Sequence, residues 1–352
     1  MAGKSAPKME YTKLGNSGLK ISKVIFGCMS FGSSKWQDWV IDEEAALPLL
    51  KHAYDVGLNT WDTADVYSNG RSEEIIGKAI KQYKIPRNKI VILSKCYFGV
   101  SDDGSQPPIA AVSTNDGEMV NRVGLSRKHI IDAVDKSVER LGTYIDVLQI
   151  HRLDRDTPRE EIMRALNDVV ESGKVRYIGA SSMAAWEFQT LQNIAGRKGW
   201  HKFVSMQNYY NLLYREEERE MIPYCRDVGV GLIPWSPIAR GALARPFDNR
   251  TTIREKSDRM LAAMIRGKET EIDKRVIGRV EEVAKKHGVS MTTIATAWCL
   301  SKDKVNPIIG LSSKERIDQA VESVHFTSSG KLTAEDIAYL EEGYAPKERQ
   351  GY

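Results

Sequence analysis

Eight short apolar runs, separated by segments of helical periodicity, constrain this chain more than any other feature. They are "KVIFG" (23–27), "LNTW" (58–61), "KIVILS" (89–94), "YIDVLQI" (144–150), "KVRYIG" (174–179), "FVSMQ" (203–207), "GVGLIPW" (229–235) and "VNPIIG" (305–310). Most are apolar at consecutive positions, the pattern of strands covered on both faces between a core and an outer helical layer. Eight strand–helix units in this order predict an α/β fold, a closed (β/α)8 TIM barrel. The chain reads as one domain over 1–352, with a barrel core at about 11–325, a hairpin "YTKLGNSGLKIS" in front and a helix and irregular tail over 326–352. An open doubly wound sheet competes with this reading. Its dinucleotide-binding form would favour GxGxxG after the first strand, where "FGCMSFG" stands instead.

The helices are predicted on local grounds. "TPREEIMRALNDVVESGK" offers Thr157 as N-cap, Pro158 at the first helical position, Glu160 to complete a capping box and Gly173 as a stop. Segment 43–56 carries Ala46, Leu49, Leu50 and Ala53 on one face, and 127–141, 184–197, 217–226, 270–287 and 314–324 show related patterns. Thr333 and Asp336 suggest one more capped helix. Two connections, 97–125 and 236–269, are too long for simple loops and suit lids or binding segments.

Composition excludes several classes. Fifty-one Lys and Arg stand against 47 Asp and Glu, a charge of +4 without the basic stripe of a nucleic-acid surface. The amino terminus has lysines but no apolar run behind them, so neither a signal peptide nor a membrane anchor is read, and a cytoplasmic location is expected. Cys28, Cys96, Cys225 and Cys299 are scattered, without the CxxC spacing of a zinc or redox site, and read as buried thiols, with Cys28 or Cys96 open to being reachable. His151, Asp154 and Asp156 suggest a metal-dependent hydrolase locally, but no second histidine supports it, and no metal is expected.

A parallel barrel gathers its carboxyl strand ends on one face. That brings together Asp62 and Tyr67 after strand two, Lys95 after strand three, His151 after strand four, Ser181 and Ser182 after strand five, Gln207, Trp235 and Gly310. Each has a plain reading. Asp62 can close a turn, Tyr67 can pack its ring, Lys95 can reach solvent and His151 can be a core histidine, while Asp65 and the following Ser-Asn-Gly belong to the turn. Together they suit hydride transfer to a carbonyl. A phenol with an ordinary pKa of about 10 is the proton donor, a lysine ammonium lowers that pKa, a carboxylate orients the lysine, and a histidine binds the carbonyl oxygen. None of these donates hydride, so a nicotinamide cofactor is implied. Trp235 offers it an aromatic face, Ser181, Ser182 and Gln207 offer hydrogen bonds, and Ser312, Ser313, Lys314 and Arg316 at a helix start suit phosphate, or form an ordinary Ser313 cap.

The segments "NTWDTADVYSNGRSEEIIGKAI", "ILSKC", "IDVLQIHRLD", "GKVRYIGASSM", "QNYYNLL", "LIPWSPIARGAL" and "NPIIGLSS" follow one another as they do in the aldo-keto reductases, which the chain resembles over about 11–325. The resemblance implies an NADP(H)-dependent aldo-keto reductase of alcohol dehydrogenase type, with Asp62, Tyr67, Lys95 and His151 catalytic. It implies cofactor contacts at Gly27, Met29, Asp62, Ser181, Ser182, Gln207, Trp235, Ser236, Gly241, Gly310, Ser312, Lys314 and Arg316. Trp235 replaces a common tyrosine, Ser182 a common asparagine, and Ala320 an asparagine near the adenine. The long loops resemble the branch holding fungal aryl-alcohol dehydrogenases and the norsolorinic acid and versiconal hemiacetal acetate reductases of polyketide pathways. The implied substrate is a small aromatic or polyketide-like aldehyde, ketone or hemiacetal, with Trp36, Tyr97, Phe98, Tyr209 and Tyr210 as candidate walls. A cofactor-sensing regulatory protein on the same barrel, as in potassium-channel β subunits, is the alternative.

Overall fold

The computed structural model describes residues 9–101, 117 and 119–351. Eight parallel strands carry the alternation: β1 (Ile25–Gly27), β2 (Thr60–Asp62), β3 (Val91–Cys96), β4 (Ile145–Ile150), β5 (Val175–Ser181), β6 (Phe203–Gln207), β7 (Gly231–Leu232) and β8 (Ile308–Gly310). Their order in the sheet is β7-β6-β5-β4-β3-β2-β1-β8. The sheet curls into a (β/α)8-like barrel whose last seam is incomplete. There β7 meets the β8 segment only through isolated parallel bridges, Leu232 with Val305 and Trp235 with Ile308. Pro234, lacking an N–H, cuts β7 short of the predicted 229–235.

Three other strands run longer than their apolar runs suggest. Asp62, Lys95 and Ser181 lie inside β2, β3 and β5 because their side chains find partners within the barrel, so a polar residue does not end the ladder. The helices α1 (Glu43–Asp55), α2 (Arg71–Gln82), α3 (Arg127–Leu141), α4 (Arg159–Glu171), α5 (Ala185–Lys198) and α6 (Met221–Val228) follow β1 to β6. Then come α7 (Glu271–His287), α8 (Met291–Leu300), α9 (Lys314–Ser328) and α10 (Ala334–Glu341), besides short helices at Ile253–Ser257 and Arg259–Met264 inside the long 236–269 connection.

Helix α8 is not foreseen by periodicity. Most of "MTTIATAWCL" is buried, so it has no polar face to reveal it, and only Ser290, accepting from the Thr293 amide, marks its start. Thr157 does not cap α4. Its hydroxyl donates to Asp154 Oδ2 at 2.6 Å, the N-cap is Pro158 without a side-chain bond, and Gly173 follows the end at φ +76°. The Thr333–Asp336 capping box of α10 forms as read. Its tail is irregular but tied down: the Gln350 amide donates to Tyr214 Oη at 2.9 Å and the Lys347 amide to Glu216 Oε1 at 2.8 Å. Most of the 97–125 connection lies outside the described residues.

Two apolar cores hold the layers. Ile25, Val91, Leu93, Val147, Ile233 and Ile308 fill the barrel interior, and Leu14 and Ile21 of the amino-terminal hairpin (Tyr11–Lys13 with Lys20–Ser22) join them from below. A larger cluster lies between sheet and helices. All four cysteines are buried and free, so neither Cys28 nor Cys96 is reachable. Among the described residues no helix is long and apolar enough to cross a membrane.

Helix packing fixes one glycine. A Cβ on Gly77 of α2 would lie 2.7 Å from the Arg140 carbonyl oxygen and 2.8 Å from that of Leu141, backbone atoms that close α3. Gly77→Ala should therefore lower stability by about 1–3 kcal/mol, despite alanine's better helix propensity, as read by urea unfolding.

Candidate active site

Side chains on a strand alternate between faces, so the interior positions of each strand climb from an apolar layer to a polar one. In β3 the series Val91, Leu93 ends at Lys95, and in β4 Val147 leads to Gln149 and then His151. The registers set the polar layer side by side: Gly27 opposite Asp62, Lys95 opposite Gln149, and Ser181 opposite Gln207.

At its centre Lys95, fully buried, donates to Asp62 Oδ2 at 2.6 Å, to the Thr63 carbonyl at 2.8 Å and to Tyr67 Oη at 3.2 Å. The ammonium's three donors are thereby used. Burial acts against its charge, but Asp62 and Tyr67 more than offset that, and its pKa lies above the ordinary lysine value. Asp62 Oδ1 accepts from the amides of Gln149 at 3.0 Å and Gln207 at 2.9 Å. Gln207 also donates to Gln149 Oε1 at 2.8 Å.

Tyr67 lies edge-on to His151, ring centroids 5.8 Å apart. Burial raises the phenol's pKa, with Lys95 only partly opposing it, so the net shift is upward and not the lowering expected from the ammonium alone. His151 is pushed well below its ordinary value by burial and by Lys95 and Arg152, which makes it a neutral imidazole. Among the described residues its buried Nδ1 has no hydrogen-bond partner. Leaving a lone pair unpaired there costs less than stranding an N–H, so the favoured tautomer carries its proton on Nε2. Asp65 is in the turn as read, yet buried rather than solvated, and burial followed by Glu73 raises its pKa well above a normal carboxylate. Ser68, Asn69 and Gly70 close that turn at positive φ.

A cavity of about 890 Å³ opens over these groups. Gly27, Met29, Asp62, Tyr67, His151, Ser181, Gln207, Trp235, Ser236, Gly241, Gly310, Ser312 and Arg316 line it. Three of the residues predicted for catalysis or cofactor contact do not. Lys95 lies beneath Tyr67, Lys314 stands outside on the first turn of α9, and Ser182 accepts from Trp235 Nε1 at 3.3 Å, fixing that ring. Ser181 spends its hydroxyl proton on the Gln207 carbonyl at 2.7 Å. Behind Trp235 stack Tyr209, at 4.5 Å and 25°, and then Tyr214. Tyr209 is thus a support and not a cavity wall. Tyr210 packs against Trp298, and Tyr97 against Phe98, outside the lining. Trp36 and Phe98 do line it, with Trp39, Val40 and Val66.

Part of the cavity lining is cationic. Arg240, Arg245 and Arg254, from the long connection, join Arg316 there. Asp258 accepts from Arg240 at 2.7 Å and from Arg254 at 2.9 Å, and Glu255 lies 3.7 Å from Arg245. Arg316 donates only to Ser312 Oγ, at 2.6 Å, while the Arg316 amide donates to its helix cap, Ser313. Burial and repulsion from Arg240 bring Arg254 down to about 10. This surplus of guanidinium over carboxylate fits a phosphate-bearing group, and the face of Trp235 turned to the cavity fits a flat ring.

Sequence reasoning missed Gln149, Arg152 and the Arg240–Arg254 group. The signal for Gln149 was an amide in an otherwise apolar strand, two residues before His151. The arginines gave no signal, because nothing local says that their connection folds back over the barrel. Asp154, a candidate metal ligand, accepts instead from the Thr157 hydroxyl and from the Leu125 and Asp156 amides. Among the described residues no group of His, Cys, Asp and Glu is placed to hold a metal.

The aldo/keto reductase family model matches residues 23–345. A versiconal hemiacetal acetate reductase of Aspergillus parasiticus is 66% identical over 96% of this chain and 98% of its own. A Schizosaccharomyces pombe protein provisionally described as an aryl-alcohol dehydrogenase is 57% identical over 97% of each chain. An aldo-keto reductase of Fusarium vanettenii is 48% identical over 99% of this chain and 94% of its own. The chain belongs to the aldo/keto reductase family, and that membership supports an NADP(H)-dependent oxidoreductase.

Gln149→Leu, close in volume, would leave Asp62 one donor short. We expect a loss of about 1.5–3 kcal/mol in urea unfolding, the cost of a buried hydrogen bond to a charged group.

Proposed function

We propose that this protein reduces an aldehyde, a ketone or a hemiacetal-derived carbonyl to an alcohol with NADP(H), the substrate being aromatic or polyketide-like. The observation that carries the reading is the Tyr67 hydroxyl, held 3.2 Å from a buried Lys95 and edge-on to a neutral His151 in one cavity wall. When bound, NADPH supplies the hydride. The chain's own groups do the rest.

Trp235 and Gln207, with Ser181, Gly27, Met29, Asp62, Ser236 and Gly241 nearby, would hold the nicotinamide end. Gly310, Ser312 and Arg316 would hold the adenosine phosphate, with Lys314 adding charge from outside the lining. The substrate oxygen would sit between Tyr67 Oη and the His151 ring, which donates from Nε2 and stabilises charge gathering on that oxygen. Tyr67 then transfers its proton to the oxygen. Lys95 stabilises the phenolate that remains, and Asp62 keeps Lys95 charged and aimed. Trp36, Trp39, Val40, Val66 and Phe98 exclude water and offer flat apolar walls, which supports an aromatic substrate. The names of the relatives from Aspergillus parasiticus and Schizosaccharomyces pombe point the same way.

In an NADPH oxidation assay with aromatic aldehydes, Tyr67→Phe should lower kcat by about 10²–10⁴-fold while NADPH still binds by fluorescence. Full turnover in that variant would remove Tyr67 as the donor. The raised pKa of Tyr67 fixes the sign of the pH dependence, because reduction needs the protonated phenol. Reductive kcat should stay level through neutrality and fall only above the ordinary phenol value of about 10, whereas alcohol oxidation should rise with pH. A reductive decline centred near pH 7 would contradict this.

A further inference from the structure

Among the described residues, every arginine lining the cavity has a side-chain partner except one. Arg240 and Arg254 bind Asp258, Arg245 lies near Glu255, and Arg316 binds Ser312. Arg152 donates only to a backbone oxygen, the His151 carbonyl, at 2.6 Å. Among the described residues no carboxylate forms an ion pair with it. It is half-buried, it lines the cavity, and it follows His151 directly in the chain, close enough to Tyr67 for the two to interact electrostatically.

A guanidinium presents donors in a planar fork, and one backbone bond leaves most of that fork free. Burying a cation without a counter-charge is costly, so cations in such places are ordinarily paired or await an anion. The bond to the His151 carbonyl fixes the group close to the reacting centre. Its charge is felt there, holding down the pKa of His151 and opposing the rise at Tyr67.

We propose that Arg152 is a specificity-determining anchor that selects carbonyl substrates carrying a carboxylate, bound by the guanidinium while the reacting carbonyl sits at Tyr67 and His151. This rests on the reductase reading above and adds the substrate's charge to it. Phe98, whose ring lies 5.0 Å from that of His151, supplies apolar surface beside the reacting centre. A formyl group and a carboxylate on one benzene ring match this arrangement, and the methyl ester of the same acid keeps the shape while removing the charge.

The test uses the full chain with NADPH, comparing 3- and 4-formylbenzoate with their methyl esters in the wild type, Arg152→Lys and Arg152→Gln. The wild type should prefer the acids. In Arg152→Gln the acid-to-ester ratio of kcat/KM should fall by about 10- to 100-fold, mainly through KM for the acid, as expected for losing a charged hydrogen bond. Arg152→Lys, which keeps charge but loses the fork, should lie between. An unchanged ratio in either folded variant, or a wild type that reduces acid and ester equally well, overturns the anchor. Should Arg152→Gln not fold, the lysine variant decides, with a fall of about tenfold or more required. Benzoate binding with NADP+ present, followed by tryptophan fluorescence, separates the two claims. A wild type that reduces neither acid nor ester refutes the reductase reading, and the anchor then stands if Arg152 substitution weakens benzoate at least tenfold and fails if it does not.

Discussion

The buried pair of Lys95 and Asp62 is the constraint around which the rest of the barrel is arranged. Taking two such charges out of water costs several kcal/mol per ion, so the pair is tolerable only if every remaining donor and lone pair is satisfied. That requirement accounts for much of the interior. Thr63 offers its carbonyl and Tyr67 its hydroxyl to Lys95, while Gln149 and Gln207 bring amides to Asp62 from strands across the barrel. The apolar layer beneath, from Ile25 to Ile308, keeps the network dry.

The electrostatics of the site follow from the same pair. Burial, helped by the fixed positive charge of Lys95, keeps the His151 imidazole neutral. Tyr67 feels Lys95 too, but burial is stronger, and the phenol is held protonated. A second set of charges in the lining, Arg240, Arg245 and Arg254, is compensated separately by Asp258 and Glu255.

Much of the fold was legible in the sequence. The eight apolar runs and most helices fall where the periodicity puts them, because strand and helix repeats are local consequences of backbone geometry. The failures have physical causes as well. Helix α8 is buried nearly all round and has no face to betray it, Pro234 shortens β7, and Thr157 serves Asp154 instead of the helix it precedes.

The sequence by itself determined which polar residues stand at the strand ends, and Asp62, Tyr67 and His151 meet there as the period predicts, with Lys95 directly below. Only the tertiary structure decided their partners. Gln149 reaches Asp62 across 87 positions of sequence and Gln207 across 145, and no local pattern encodes such meetings. It also turned Tyr209 from a pocket wall into the support of Trp235, and Ser182 from a ligand contact into that ring's hydrogen-bond acceptor. The physical reason is that alternation fixes which face a side chain points to, whereas burial, charge state and partnership depend on what the curling of the sheet brings alongside it.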